Sequence, residues 1–183
     1  MFFREFLQTS QSKRSRRFGN RTRVFEDIFN RKVPVVDPTI YICAPNDDAM
    51  VKHPGHEAWF VLVNAPRHGD SDGFNWNDKD ANHRYAMKII DAIEARGISV
   101  RDRLEVLEIR TPADLERTVM APGGSIYGTS SNGARSAFLR AKNRSPLKGL
   151  YCVGGSAHPG GGLPLVGLSA EIVAQAVVGP TTH

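Results

Sequence analysis

An α/β fold is predicted from three observations. Three short runs, Thr39–Cys43 (TIYIC), Trp59–Asn64 (WFVLVN) and Leu104–Ile109 (LEVLEI), have the length, β-branched content and alternation of strands. Asp78–Arg96 repeats Tyr85, Ile89, Ile90 and Ile93 on one helical face, with Gly97 just past its end. Gly149–Gly179 reads as strand, glycine loop and helix. The expected arrangement is an antiparallel sheet of the three runs with the Asp78–Arg96 helix packed on it.

The chain has 183 residues, enough for one sizeable core, and a formal net charge of +5. That excess is local. Residues 1–23 carry seven Lys/Arg against one acid, and the remaining residues 17 against 18, so the charge is weak support for nucleic acid. The Lys13–Arg17 run predicts a basic, disordered leader over residues 1–23, outside the folded core. Its alternative reading is attraction to an anionic membrane surface. No apolar run is long enough to span a bilayer or to form a signal peptide. Cys43 and Cys152 fall in expected strands and read as small buried hydrophobes of a reducing, cytoplasmic compartment.

Val24–Lys32 places Phe25, Ile28 and Phe29 on one helical face, and Pro34 and Pro38 end it. The loop between the first two strands contains His53-Pro54-Gly55-His56. No helix aligns the two rings and no Cys or carboxylate cluster accompanies them, so they read as surface histidines and no metal is expected. Thr111 is the expected N-cap of a helix, with Pro112 in its first turn and Asp114 closing a capping box. Ala121–Ser145 is the least regular stretch, broken by Pro122-Gly123-Gly124 and Tyr127-Gly128.

The segment after it carries the candidate site. Leu150–Val153 has the composition of a buried strand and stops at Gly154 and Gly155. Gly160, Gly161 and Gly162 lie between Pro159 and Pro164. Leu165, Leu168, Ser169, Ile172, Val173 and Ala176 then recur at helical spacing up to Gly179. A glycine loop entering a helix presents main-chain N–H groups to an anion and lets a flat ligand approach the backbone. The same residues also suit a tight turn that merely needs glycine.

The run GLYCVGGSAHPGGGLP resembles the C-terminal flavin-binding signature of phytoene desaturase-type carotenoid desaturases. Gly124–Gly128 (GSIYG), Phe138-Leu139-Arg140, Thr111–Asp114 (TPAD) and Phe60–Pro66 (FVLVNAP) are similar to further segments of that family. The likeness runs in unbroken order over residues 24–178, and branches that act on hydroxylated or already desaturated carotenoids, or oxidise them, are the most similar.

This resemblance implies the C-terminal portion of an FAD/NAD(P)-binding-type flavoprotein. Residues 24–120 would be a substrate-domain portion, and 121–183 a C-terminal FAD-binding portion with the closing strand and helix of the dinucleotide-binding domain. FAD would lie against Gly154, Gly155, Pro159, Gly160, Gly161, Gly162, Leu163, Pro164, Leu165 and Val166. His158 would position the loop ahead of any proton transfer. No G-x-G-x-x-G occurs, so the implied partners are a missing N-terminal FAD-binding half and a carotenoid substrate, with a peripheral membrane contact and no nucleic acid. The implied activity is desaturation by hydride transfer to flavin. The alternatives are a carotenoid oxidase or oxygenase of the same family, or a non-catalytic remnant.

Overall fold

The computed structural model describes residues 2–8, 21–45, 47–51, 53–127 and 140–179. The chain forms two compact units, Met1–Gly124 and Ser125–His183. The first is built on a four-stranded sheet of β1 (Phe2–Gln8), β2 (Ile40–Cys43), β3 (His56–Val63) and β4 (Leu107–Arg110), in the order β2-β3-β1-β4. All neighbours are antiparallel; Ile42 pairs with Val61, Phe3 with Val61 and with Ile109.

Alternation along β3 turns Val61 and Val63 to one face, where they are buried. Helix α2 (Lys79–Glu94) lays Ala86, Ile89, Ile90 and Ile93 on the same core, with Val100 beyond its end. Asp78 caps it by accepting the Ala81 N–H at 2.9 Å. Helix α3 (Pro112–Val119) starts from the expected capping box. The buried Thr111 hydroxyl accepts the Asp114 N–H at 3.3 Å, and the Asp114 carboxylate accepts the Thr111 N–H at 2.8 Å. Gly124 shows a packing reason for the first glycine of GSIYG. Its φ is +71°, and a Cβ there would fall 2.3 Å from the Pro112 carbonyl oxygen.

Several expectations are corrected. Residues 2–8, expected in a disordered leader 1–23, form a central strand that separates β3 from β4. The leader's whole charge excess lies after Gln8, while FFREFLQ itself is neutral and aromatic, a composition suited to a strand. Residues 9–20 lie outside the described residues. The first unit therefore takes in chain well before the expected start at Val24.

The strand expected over Leu104–Ile109 is only Leu107–Arg110; Arg101–Arg103 forms a 3-10 turn just before it. The helix expected over Val24–Lys32 is α1 (Arg21–Phe25), running into a π-helical turn, Glu26–Asn30. That turn buries Asp27 and leaves Phe25 and Phe29 exposed, opposite to the predicted apolar face. Burial of Asp27 is offset by its partners: Arg31 Nη1 donates at 2.8 Å and the Val36 N–H at 3.3 Å.

In the second unit, α4 (Leu163–Val178) follows the glycine loop and ends at Gly179. Leu150–Val153 is not a strand. Tyr151 makes one isolated bridge with Arg144, and Leu150 and Val153 are exposed. An apolar run becomes a strand only where another strand continues the ladder, and here an irregular turn at residues 143–145 takes its hydrogen bonds. Of the residues at helical spacing in α4, Ser169 is buried and Ile172, Val173 and Ala176 are half-buried, while Leu165 and Leu168 are exposed.

Candidate functional site

The glycine loop is fixed from below by one side chain. Asn143 is buried, and its Nδ2 lies 3.0 Å from the Cys152 carbonyl, 2.9 Å from the His158 carbonyl and 2.9 Å from Ser169 Oγ. Ser169 Oγ in turn accepts the Gly154 N–H at 3.2 Å. Two amide protons shared among three acceptors thus tie both ends of the loop to the second turn of α4. Main-chain bonds complete the frame: Cys152 N–H to Asn143 O and His158 N–H to Ala141 O, both at 2.9 Å.

Arg140 holds the loop from the side. Its Nη1 donates to the Tyr127 carbonyl at 3.2 Å and to the Gly155 carbonyl at 3.1 Å. Its guanidinium carbon lies 3.5 Å from where a Cβ on Gly160 would stand. Gly160 is buried with φ +142°, so conformation calls for glycine there, while a Cβ would meet Arg140 only at ordinary contact distance.

The glycines differ in what they exclude. A Cβ on Gly161 would lie 2.1 Å from Tyr127 Cδ1, so the Tyr127 ring covers that position. Gly162 and Gly154 meet nothing within 4 Å, and their φ values of +104° and +109° make their requirement conformational. Gly155 packs on the Gly161 Cα and the Val166 side chain, at 3.5 and 3.7 Å from its ideal Cβ. Leu165 and Arg140 flank Gly160.

Gly162 is the N-cap of α4 and provides no side-chain cap. The first closed helical bond is Val166 N–H to Gly162 O at 2.9 Å. Leu163 and Leu165 N–H therefore stand at the start of the helix with no acceptor among the described residues; Pro164 has no N–H to give. No acidic residue occupies this first turn.

His158 is exposed. Its main chain carries the contacts and its ring bonds to none of the described residues. Pro159 follows it through a cis peptide bond. Sequence reading missed Asn143, Ser169 as a polar partner, and Arg140 as a loop anchor. Asn143 stands between Lys142 and Arg144, a setting that reads as solvated loop and gives no signal of burial.

Elsewhere, His56 opens β3 and bonds Glu105 through Nε2 at 2.9 Å; its ring is 5.5 Å from that of His53. The Glu105 hydrogen bond raises the His56 pKa above its ordinary value. Among the described residues there is no group of three or more His, Cys, Asp or Glu suited to a metal, and no helix long and apolar enough to cross a membrane. Cys43 and Cys152 are unpaired thiols, each partly buried.

These features define an α/β protein with a glycine-lined main-chain surface, an uncapped helix start and a neighbouring guanidinium. No family model matches the chain. It is 40% identical over 163 residues to a 1-hydroxycarotenoid 3,4-desaturase of Flavobacterium sp. (strain P99-3), covering 87% of this chain and 32% of that protein. It is 32% identical over 155 residues to a hydroxyneurosporene desaturase of Rubrivivax gelatinosus, covering 84% and 29%. A 4,4'-diaponeurosporene oxygenase of Staphylococcus haemolyticus (strain JCSC1435) matches at 32% identity over 178 residues, covering 94% and 32%. Over most of its length the chain is thus similar to carotenoid desaturases and oxygenases, which supports the phytoene desaturase-type resemblance. It spans about a third of the length of these curated relatives.

Proposed function

We propose that the chain is the C-terminal portion of an FAD-dependent carotenoid desaturase, and that the loop Gly154–Val166 meets the cofactor. The observation that carries this is the uncapped start of α4, reached through a glycine loop that Asn143 and Ser169 lock in place. The donor set suits an anionic group. Arg140 Nε and Nη2 and the Leu163 and Leu165 N–H groups have no acceptor among the described residues, and no acid stands in the helix's first turn. When bound, FAD supplies the acceptor for the hydride removed from a polyene C–C bond. The chain's own part is to orient the loop through Asn143, offer main-chain donors at Leu163 and Leu165, and keep side chains off the surface at Gly162.

An apolar substrate is supported by the sheet of the first unit. Its face away from α2 carries Tyr41, Phe60 and Leu62, and the first two are exposed. The 4,4'-diaponeurosporene oxygenase among the relatives keeps oxygenation as the alternative reaction.

A second portion is needed to retain the cofactor. One helix end contributes about 0.3–1 kcal/mol, whereas nanomolar binding needs about 12 kcal/mol. The isolated chain, purified with excess FAD, is therefore expected to be colourless. Residues 24–178 substituted for the matching segment of the Flavobacterium desaturase should give a yellow protein that desaturates a 1-hydroxycarotenoid. A yellow isolated chain would overturn the split reading. A chimera that folds yet neither binds FAD nor turns over would favour a non-catalytic remnant.

A further inference from the structure

The first unit contains a cleft that neither the glycine loop nor the sheet face uses. It has a volume of about 340 Å³, at the lower end of small-molecule sites, and lies between α2, the Pro34–Val36 segment and the Phe74–Trp76 turn. Its walls are aromatic and aliphatic. Phe74 and Trp76 meet edge to face at 4.8 Å, and Tyr85 stands 6.1 Å from Trp76.

The walls are tied together by hydrogen bonds of their own polar groups. Tyr85 Oη donates to the Val35 carbonyl at 3.0 Å, Trp76 Nε1 to Pro66 O at 3.0 Å, and Asn82 Nδ2 to Trp76 O at 2.9 Å. The buried Asp27 carboxylate accepts the Val36 N–H, fixing the opposite wall. Burial pushes the Tyr85 phenol well above its ordinary pKa, so this group stays neutral. These donors are spent on the main chain, leaving an interior that selects for apolar matter and not for a hydrogen-bonding ring such as a nucleobase.

The mouth is different. Arg84 and Lys88, one helical turn apart on α2, both line the cleft. They are the only charged residues of its lining, and neither has a carboxylate within 4.0 Å among the described residues. Asp91, three residues after Lys88, is engaged with Arg101 instead. Asp80, one helical turn before Arg84 on α2, makes no ion pair with it among the described residues, and Asp27 is fully buried and paired with Arg31. Cations thus face solvent beside an apolar slot, with Val36, 73% exposed, at its edge.

We propose that this cleft binds a small anionic amphiphile, an apolar tail against Val36, Phe74 and Tyr85, over the buried Val35 and Trp76, with its carboxylate or phosphate against Arg84 and Lys88. The proposal is independent of the flavin reading, since every residue it uses lies in the first unit.

The test titrates octanoate, octyl phosphate and octanol into the full 183-residue chain and follows the Trp76 indole N–H by heteronuclear NMR. The two anions should saturate the Trp76 shift with a Kd at least tenfold below that of octanol. A stronger response to octyl phosphate would point to a phospholipid-like head, and to octanoate a fatty acid. R84E/K88E should abolish the preference over octanol. R84Q/K88Q should abolish it too, and serves if charge reversal impairs folding. Equal affinity for octanol and octanoate, or a preference that survives both double variants, overturns the proposal. So does binding to phosphatidylglycerol vesicles with no Trp76 shift by the soluble amphiphiles, which would assign the two cations to a membrane surface.

Discussion

Replacing Asn143 by Ala should loosen the glycine loop more than any single glycine substitution that merely strains it. The side chain is buried, and its amide serves the Cys152 and His158 carbonyls and Ser169 Oγ. A neutral hydrogen bond is worth about 1 kcal/mol net, and a buried group left unpaired costs about 1–3 kcal/mol. The two carbonyls have no other donor among the described residues, whereas Ser169 keeps the Gly154 N–H. The expected cost is about 2–4 kcal/mol. It should fall on local opening of the second unit rather than on the first unit's core. Amide hydrogen exchange reads it directly, because a change of 1.4 kcal/mol is tenfold: the Gly154 amide should exchange roughly 30- to 700-fold faster. Ser169→Ala should cost about 1 kcal/mol at the same amide. The two side chains touch, so the double variant should cost less than the sum by at least about 0.5 kcal/mol. Exchange at Gly154 within threefold of the parent in Asn143→Ala, or strict additivity of the two changes, would refute the network.

Three further outcomes are expected. Gly161→Ala should destabilise the loop through its clash with the Tyr127 ring, and Gly161→Ala in a Tyr127→Ala background should be tolerated; urea midpoints of the parent and the three variants check this. Thr111→Ala removes the α3 cap and should cost about 1–2 kcal/mol. Burial alone would raise the Asp114 pKa, but the Thr111 hydroxyl and N–H, with Arg117, outweigh it and hold the carboxyl below its ordinary value. Its folded pKa lies below the unfolded one, so its contribution is complete above about pH 4 and is lost as pH falls through the folded pKa. Acid titration of stability should therefore flatten in Thr111→Ala. For His56, raised by Glu105, the sign is opposite: the contribution is present below about pH 6.5 and fades as pH rises through the folded pKa. Glu105→Gln should lower the His56 titration midpoint measured by NMR, and an unmoved midpoint would contradict the pairing.

What was legible in the sequence was whatever local pattern alone decides. The α2 stripe Tyr85, Ile89, Ile90, Ile93 has the helical period, and Thr111-Pro112-Ala113-Asp114 carries its own capping chemistry; both stand as read. β1 is masked in the net charge of residues 1–23, because Arg4 and Glu5 leave FFREFLQ neutral and the basic excess begins only at Lys13. Leu150–Val153 failed for the converse reason. Its composition is that of a strand, but a strand needs a neighbour, and sequence does not say that residues 143–145 form a turn there. At the site, glycines announced the loop, yet the anchors are an Asn and a Ser whose types suit solvent equally well. Asp27 shows the same limit, since a carboxylate that follows Glu26 gives no sign that it, rather than Phe25 or Phe29, will be buried.

α4 carries the most direct test of whether this chain completes its surface elsewhere. Among its 16 residues Glu171 is the one charged residue, and apolar side chains lie on all sides. A surface helix normally keeps a charged face, and a helix apolar all round is built for burial. Here Ser169 is the buried residue, while Leu163 is 91% exposed, Val178 75%, and Leu165, Leu168 and Val177 are exposed as well. A chain spanning about a third of its relatives' length has a ready candidate for the cover, the rest of such a protein. Leu168→Glu separates the cases. On an exposed position it should change the isolated chain's stability by no more than about 0.5 kcal/mol and raise its solubility. In the chimera with the Flavobacterium desaturase the same carboxylate would enter an apolar contact without a partner. That costs several kcal/mol and should lower both the yield of folded protein and its bound flavin. If the chimera accepts Leu168→Glu as readily as the isolated chain does, α4 faces solvent in the assembled protein and the split reading loses its main surface.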